Sequence, residues 1–182
     1  KVVVPSTPLD VIGLMAASIR DNDPVIFLEE KALYATKGEV PDGDVVDTLG
    51  SAKVLRQGSN ATLIALGNMV PRAQLAAEEL ASAGIDCTVV DVRSLVPLDT
   101  QTILREVSAT GRMFTVEENP RLCGWGGELA SIVADEIFYD LDGPIVRITT
   151  PHIPLPAADA LEDLAIPSVT RIVETVQKSM NS

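Results

Sequence analysis

Short apolar runs alternate with one helical stretch over the first thirty residues. Runs at 2–4 and 25–28 are typical of buried strands, and the stretch 10–20 between them favours a helix that stops before Pro24. Two strands joined by a crossover helix predict one parallel βαβ unit. Roughly thirty residues cannot cover both faces of such a sheet. Since the chain also begins at Lys1, we expect this unit to be the end of a larger α/β domain.

Residues 31–50 have no sustained hydrophobic period. Glycines and prolines stand among charges there, at Gly38, Pro41, Gly43 and Gly50. This composition is typical of a linker, with a boundary near Thr48.

Strand and helix patterns alternate through the rest of the chain. The predicted strands are 53–56, 62–66, 87–91, 113–116 and 145–148, and the predicted helices are 69–83, 100–108, 128–138 and 169–180. Repeated βα units of this length predict an α/β fold with three layers, in which helices flank a mostly parallel sheet.

Composition limits the possible partners. The 182 residues are 46% hydrophobic and hold 14 Lys and Arg against 26 Asp and Glu, which gives a formal charge of -12. Such a surface repels phosphate backbones, and 3% aromatic residues leave little for bases to stack on. We therefore expect no nucleic-acid binding, and a basic protein partner fits better.

Neither a membrane segment nor a zinc site is expected. The longest nearly apolar stretch, 11–19, is far shorter than the ~20 residues that a bilayer requires. No signal segment opens the chain. Cys87 and Cys123 are far apart and the single His is isolated, so we expect a soluble protein of a reducing compartment without a zinc cluster.

The glycine-rich motif GWGGEL at 124–129 follows a predicted strand and opens a helix. A dinucleotide fingerprint would stand in such a place, but its sixth position is Leu129 and the motif lies late in the fold. We therefore expect a tight turn that packs closely against neighbouring backbone.

Three other polar groups have alternative roles. Glu117 and Glu118 end a strand and point to opposite faces, so that one either lines a ligand crevice or caps the glycine-rich loop. His152 fits either an acid–base group or a surface position. Cys123 lacks a visible activating base, which favours an inert thiol.

The end of the first helix combines free carbonyl groups with Asp21 and Asp23 before a proline. Carbonyl and carboxylate oxygens are ligands for a hard cation. An ordinary solvated helix terminus is the alternative.

Several colinear segments together resemble the β subunit of thiamine-diphosphate-dependent 2-oxo acid dehydrogenases. The segments are KVVVP at 1–5, GL at 13–14, IRDNDPVIFLE at 19–29, GSNATLIA at 58–65, DVRSLVPLD at 91–99, VEE at 116–118, GWGGE at 124–128, PLP at 154–156, LE at 161–162 and IPS at 166–168. The resemblance implies three parts: the end of the pyrimidine-binding domain (1–34), a linker (35–49) and a transketolase-type C-terminal domain (50–182).

The family's members are E1 components of α2β2 form. The resemblance implies decarboxylation of pyruvate or branched-chain 2-oxo acids, or cleavage of acetoin, with transfer of the acyl group to lipoyl groups on E2. Thiamine diphosphate and Mg²⁺ lie between the α subunit and the first domain of β. The family's activating Glu and catalytic His precede the part represented here, and His152 does not match that His. We expect no catalytic or cofactor-binding residue on this chain, and no activity of the chain alone.

Two sites carry over from the family by position. A potassium site falls on Ser18, Ile19 and Asp21, mainly through backbone oxygens, and on Asp23, where the family often has Asn. An acidic docking surface for the E2 subunit-binding domain falls on Asp142 and the terminal carboxylate of Ser182. A solvated turn is the alternative for Asp142.

The resemblance also implies partners and a compartment. A second β subunit is expected to pack against the loops 124–127 and 151–156. The E1 α subunit is the other expected partner within E1. The expected compartment is the bacterial cytoplasm or the mitochondrial matrix. The alternatives are the C-terminal domain of transketolase or of deoxyxylulose-phosphate synthase, and a non-catalytic binding module. The sequence does not choose between pyruvate, branched-chain acids and acetoin.

Overall fold

A computed structural model describes residues 1–181, which form eight strands and six helices. The strands are β1 (Val2–Val3), β2 (Ile26–Phe27), β3 (Lys53–Arg56), β4 (Ala61–Ala65), β5 (Cys87–Asp91), β6 (Ser94–Val96), β7 (Met113–Pro120) and β8 (Val146–Thr150). The helices are α1 (Pro8–Arg20), α2 (Met69–Ser82), α3 (Thr100–Thr110), α4 (Gly126–Glu136), α5 (Asp159–Ala165) and α6 (Val169–Met180).

The larger sheet has five strands in the order β3-β5-β4-β7-β8. The pairs β4–β5, β4–β7 and β7–β8 are parallel, while β3 runs antiparallel to β5 at the edge. The predicted mostly parallel sheet is confirmed. Strand β3 departs from it because no crossover helix separates β3 from the next strand along the chain.

Helices cover both faces of this sheet, as the three-layer prediction required. Leu63 and Phe114 point to the face covered by α2 and α6, whereas Ile64 and Met113 point to the face covered by α3 and α4. Adjacent strand residues enter opposite cores because side chains alternate along a strand. Two apolar cores therefore fix the central strands from both sides.

A second, three-stranded sheet has the order β2-β1-β6. The parallel pairing of β1 with β2, predicted as a βαβ unit, places Val2 opposite Ile26. Strand β6 was not predicted; it pairs antiparallel to β1 and places Ser94 opposite Val3. The N-terminal unit is therefore hydrogen-bonded to a strand from the middle of the chain.

Local signals explain the remaining differences from the predicted elements. Helix α1 begins two residues earlier than predicted because the Thr7 hydroxyl caps it, accepting a hydrogen bond from the Asp10 amide at 3.2 Å. The segment 31–50 contains one short 3₁₀ turn and is otherwise irregular, as predicted. Within residues 1–181, no helix combines the length and the apolar character that crossing a bilayer demands.

Candidate functional site

The carboxylate of Glu117 organises the carboxyl edge of the larger sheet. It is fully buried and accepts hydrogen bonds from Thr115 Oγ1 (2.7 Å), Asn119 Nδ2 (2.9 Å) and the Gly126 amide (3.1 Å). Arg147 donates two more, from Nε and Nη2, both at 2.7 Å. The two strands that carry this ion pair are parallel neighbours, β7 and β8.

Electrostatics keep Glu117 ionised. Burial raises the pKa of its carboxyl, but the hydrogen bonds from Arg147, Thr115 and Asn119 outweigh that effect, and the pKa is lowered overall. The carboxylate also lies at the start of α4, where the amide of Gly126 and the helix dipole favour a negative charge. Because five donors occupy its oxygens, Glu117 serves the loop rather than acid–base chemistry; the predicted capping of the glycine-rich loop is confirmed.

The glycine-rich loop is pressed onto this ion pair. A Cβ at Gly126 would lie 2.6 Å from Glu117 Cδ, and one at Gly124 would lie 2.7 Å from Arg147 Nη2. The tight turn was correctly predicted, but its neighbours here are side chains of a buried ion pair and not backbone. Glycine is required because any larger residue would displace charged groups that are already paired.

A second cluster joins the N-terminal unit, the segment before β3 and the larger sheet. Arg93 Nη1 donates to Asp10 Oδ1 at 3.1 Å and to Asp47 Oδ2 at 2.5 Å. Its Nε and Nη2 donate to the Ser51 carbonyl at 3.2 and 2.9 Å. Only 5% of the Arg93 side chain and none of the Asp10 side chain is exposed. Sequence reasoning missed this cluster.

Asp91 adds an unusual carboxyl to the same cluster. Its Oδ2 accepts a hydrogen bond from Ser6, and its Oδ1 accepts one from the Arg93 amide at 3.1 Å. Burial, opposed by the Ser6 hydrogen bond and reinforced by the charge of Asp10, raises the pKa of Asp91 to about 7. This carboxyl therefore titrates near neutral pH inside the contact between the two sheets.

The predicted cation ligands lie together at the end of α1. The Ser18 carbonyl accepts a hydrogen bond from the Asp21 amide at 3.4 Å, and 77% of Ile19 is exposed. The Lys1 ammonium lies 2.5 Å from Asp21 Oδ2 and 3.4 Å from Asp23 Oδ2. The oxygen atoms suit a hard cation, but a potassium ion would have to compete with this ammonium group. The site stays a prediction.

The predicted docking residue Asp142 is exposed in the turn before β8, and its amide donates to the Gly111 carbonyl at 2.8 Å. Phe138 and Tyr139 stand close by in sequence, 60% and 98% exposed, with ring centroids 5.4 Å apart in an edge-to-face pair. Sequence reasoning missed this pair, although two consecutive aromatic residues are conspicuous in so aromatic-poor a chain. Ser182 lies outside the described residues.

The other titratable candidates are separate from one another. His152 and Cys123 are exposed on different loops. Cys87 is buried, and desolvation raises the pKa of its thiol to about 11. Across residues 1–181, no group of three His, Cys, Asp or Glu side chains is placed to hold a metal ion.

The five-stranded fold, with the glycine-rich loop at the carboxyl edge of its sheet, corresponds to a known protein family. The family model for the transketolase C-terminal domain matches residues 50–172, and the chain belongs to this family. The chain is 43% identical over 180 residues to the β subunit of acetoin:2,6-dichlorophenolindophenol oxidoreductase from Cupriavidus necator, covering 99% of this chain and 53% of that protein. It is also 43% identical over 178 residues to the pyruvate dehydrogenase E1 component subunit beta of Rickettsia felis, covering 98% and 55%.

These matches confirm the resemblance to E1 β subunits. The chain spans about half the length of the curated relatives that it matches. Among solved structures, a split-gene transketolase described as an inactive β4 tetramer superimposes with a TM-score of 0.80 at 27% identity, covering 99% of this chain and 57% of that one.

Proposed function

We propose that this chain is the C-terminal part of an E1 β subunit in a 2-oxo acid or acetoin dehydrogenase complex. The observation that carries the proposal is the 43% identity, across nearly the whole chain, to β subunits of an acetoin oxidoreductase and a pyruvate dehydrogenase. The complete enzyme would decarboxylate a 2-oxo acid, or cleave acetoin, with thiamine diphosphate and pass the acyl group to lipoyl-E2. This part would serve subunit assembly and E2 docking, in the bacterial cytoplasm or the mitochondrial matrix.

Thiamine diphosphate and Mg²⁺ are assigned to the whole assembly, because the cavity at the carboxyl ends of β1 and β2 does not suit a diphosphate. That cavity has about 530 Å³. Glu29, Glu30, Tyr34, three hydroxyl residues (Ser6, Thr7 and Thr36) and apolar side chains line it, without a Lys or Arg. Two carboxylates and no cation would repel the phosphates. We therefore expect that this chain alone neither binds the cofactor nor decarboxylates a 2-oxo acid.

Docking of the E2 subunit-binding domain is proposed at Asp142. The exposed carboxylate, the adjacent pair Phe138 and Tyr139 and the net charge of -12 support this assignment. Aromatic anchors beside a charge are typical of binding hot spots, and opposite potentials accelerate encounter with a basic partner.

The test is titration of the chain with an E2 subunit-binding domain at low and high salt. Affinity should fall as salt screens the charges, and Asp142→Asn should weaken it about tenfold, a loss typical of one charged contact. Asp42→Asn, an exposed position in the segment before β3, makes the same charge change as a control. If Asp142→Asn and salt leave affinity unchanged, the assignment of this surface is wrong.

The E1 α subunit and a second β subunit are the other proposed partners. An E1 α subunit from the same organism, co-expressed with the β subunit that contains this chain, should co-purify with it as an α2β2 assembly. Potassium is proposed at Ser18, Ile19, Asp21 and Asp23. Replacing K⁺ by choline should lower the Tm of the chain, and Asp23→Ala should remove that dependence; equal Tm values in the two salts would reject the site.

Transketolase remains the second candidate, favoured by the superposition on a split-gene transketolase. The co-purification experiment separates the two functions, because a transketolase β chain would not assemble with an E1 α subunit. A non-catalytic binding module would assemble with neither.

A further inference from the structure

A small cavity opens where the N-terminal unit meets the carboxyl edge of the larger sheet. It has about 400 Å³, and its apolar walls include Leu66, Trp125 and Leu155. Two acidic side chains line it from different parts of the fold: Glu30, which follows β2, and Glu118, near the end of β7. The cavity is therefore a junction of two carboxylates and an aromatic ring, and neither Glu117 nor Asp142 belongs to it.

Glu118 carries a carboxylate oxygen that lacks a partner. Its backbone is fixed, because Thr150 Oγ1 donates to its carbonyl at 2.5 Å. Its Oε2 is buried and accepts no hydrogen bond from any of residues 1–181. A buried acceptor left without a donor costs about 1–3 kcal/mol, and more when it is charged. This cost points to a donor that comes from outside the chain.

Glu30 adds a second carboxyl group without a positively charged partner to the cavity. Burial and the charge of Glu118 both raise the pKa of Glu30, so the two acids repel each other in a partly desolvated space. Arg147, on the strand next to β7, is already engaged by Glu117. Within the described chain, no Lys or Arg forms an ion pair with Glu30 or Glu118.

The walls decide which cation fits. A divalent metal ion prefers six or more oxygen ligands, whereas the lining of the cavity contains two carboxylates and one amide, and its other side chains are apolar. A guanidinium group is planar and weakly hydrated, stacks on aromatic rings and pairs with carboxylates through several donors. Trp125 supplies such a ring beside the two acids.

We propose that this cavity receives an arginine side chain of a partner protein, held between Glu118 and Glu30 against Trp125. The assignment goes beyond the proposed function, because it concerns a surface separate from Asp142 and does not depend on which substrate the complex uses. It identifies the partner by its chemistry: an exposed arginine flanked by apolar residues that contact Leu66 and Leu155.

Trp125 is the only tryptophan of the chain, so its fluorescence reports on this cavity alone. Titration of the whole chain with N-acetyl-arginine amide should give a saturable change in that fluorescence. The citrulline analogue has nearly the same shape without the charge, and it should bind at least fivefold more weakly. Mg²⁺ should give no saturable response.

Glu118→Gln should weaken binding of the arginine derivative at least fivefold, and Glu30→Gln should weaken it in the same direction. Glu136→Gln, which removes one exposed carboxylate of α4, is the matched control and should leave affinity unchanged. Circular dichroism of each variant checks that the fold is retained. The proposal is overturned if arginine and citrulline derivatives bind equally, if neither binds, if Mg²⁺ binds more tightly, or if both cavity variants bind like the control.

Discussion

Arg147 and Glu117 lie diagonally across two neighbouring parallel strands and share two hydrogen bonds of 2.7 Å. Only 10% of the Arg147 side chain and none of the Glu117 side chain is exposed. The same carboxylate holds the first amide of α4 through Gly126. One ion pair thus determines where the glycine-rich loop ends and where the helix begins.

Glu117→Gln should lower the free energy of unfolding by about 3 kcal/mol, because removing one partner of a buried ion pair leaves the other charge uncompensated. Urea denaturation followed by circular dichroism measures the change. Glu136→Gln makes the same substitution at an exposed position and should stay within about 0.5 kcal/mol of the parent. Equal midpoints for both variants would show that the pair does not stabilise the fold.

Asp91 should make stability depend on pH. Its pKa is raised from 3.8 to about 7 in the folded chain, so the folded state keeps a proton that the unfolded state has lost between these values. The free energy of unfolding should therefore fall as pH rises from about 4 to about 7, by up to about 4 kcal/mol, since one pKa unit corresponds to about 1.4 kcal/mol.

Asp91→Asn is neutral at every pH and retains the acceptor for the Arg93 amide. The stability of the parent relative to Asp91→Asn should decline through the same pH window and then level off. Urea denaturation at a series of pH values gives this difference, in which the contributions of other carboxyls cancel. Asp42→Asn serves as the exposed control, and a parent-to-variant difference for Asp91 that does not change with pH would contradict the assigned titration.

Gly111 and Gly84 offer a matched pair at helix ends. Both have a positive φ, +66° and +82°, but a Cβ at Gly111 would lie 2.9 Å from Asp142 Cγ whereas one at Gly84 would meet nothing within 4 Å. Gly84→Ala should cost about 1 kcal/mol for the left-handed backbone. Gly111→Ala should cost about 1–3 kcal/mol more, from overpacking against Asp142. Equal Tm shifts for Gly84→Ala and Gly111→Ala would mean that the turn at Asp142 moves to accommodate the added Cβ without a loss of stability.

Arg93→Met should destabilise the junction by about 3 kcal/mol, because Asp10 is fully buried and would lose its closest cation. Arg20→Met removes an arginine that is 55% exposed and lies 3.8 Å from Asp44, and it should change stability by less than about 0.5 kcal/mol. Chemical denaturation at neutral pH compares the two variants. A small loss for Arg93→Met would indicate that Lys53, 3.7 Å from Asp10, is sufficient compensation.

The sequence pattern predicted the elements whose apolar residues repeat over a full strand or helix. Strands β4 and β5 and helices α2 and α6 lie within one or two residues of their predicted bounds. Strand β6 has three residues and α5 has seven, which is too short for either period to show. The reversed direction of β3 follows from the missing crossover helix between β3 and β4. Its pairing with β5 joins two strands that are not consecutive, and spacing along the chain does not contain that information.

In the candidate site, too, the contacts between residues close in sequence were predictable and those between distant residues were not. The capping role of Glu117 follows from a carboxylate placed just before a glycine-rich helix start, so it was predictable. Its partner Arg147 is 30 residues away, and Arg93 is 83 residues from Asp10. Such pairs depend on strand order and on the packing of the two sheets, which local patterns do not determine.

The antiparallel pairing of β6 with β1 makes the smaller sheet a composite of two stretches of chain that are some ninety residues apart. A fragment of residues 50–181 would lack β1, the strand that pairs with β6. The backbone groups on that side of β6 would then be open to solvent or to a foreign strand. A fragment cut at the family boundary should therefore be prone to strand-swapped association. We therefore expect the unit of cooperative folding to extend beyond the family domain at 50–172 and to include β1.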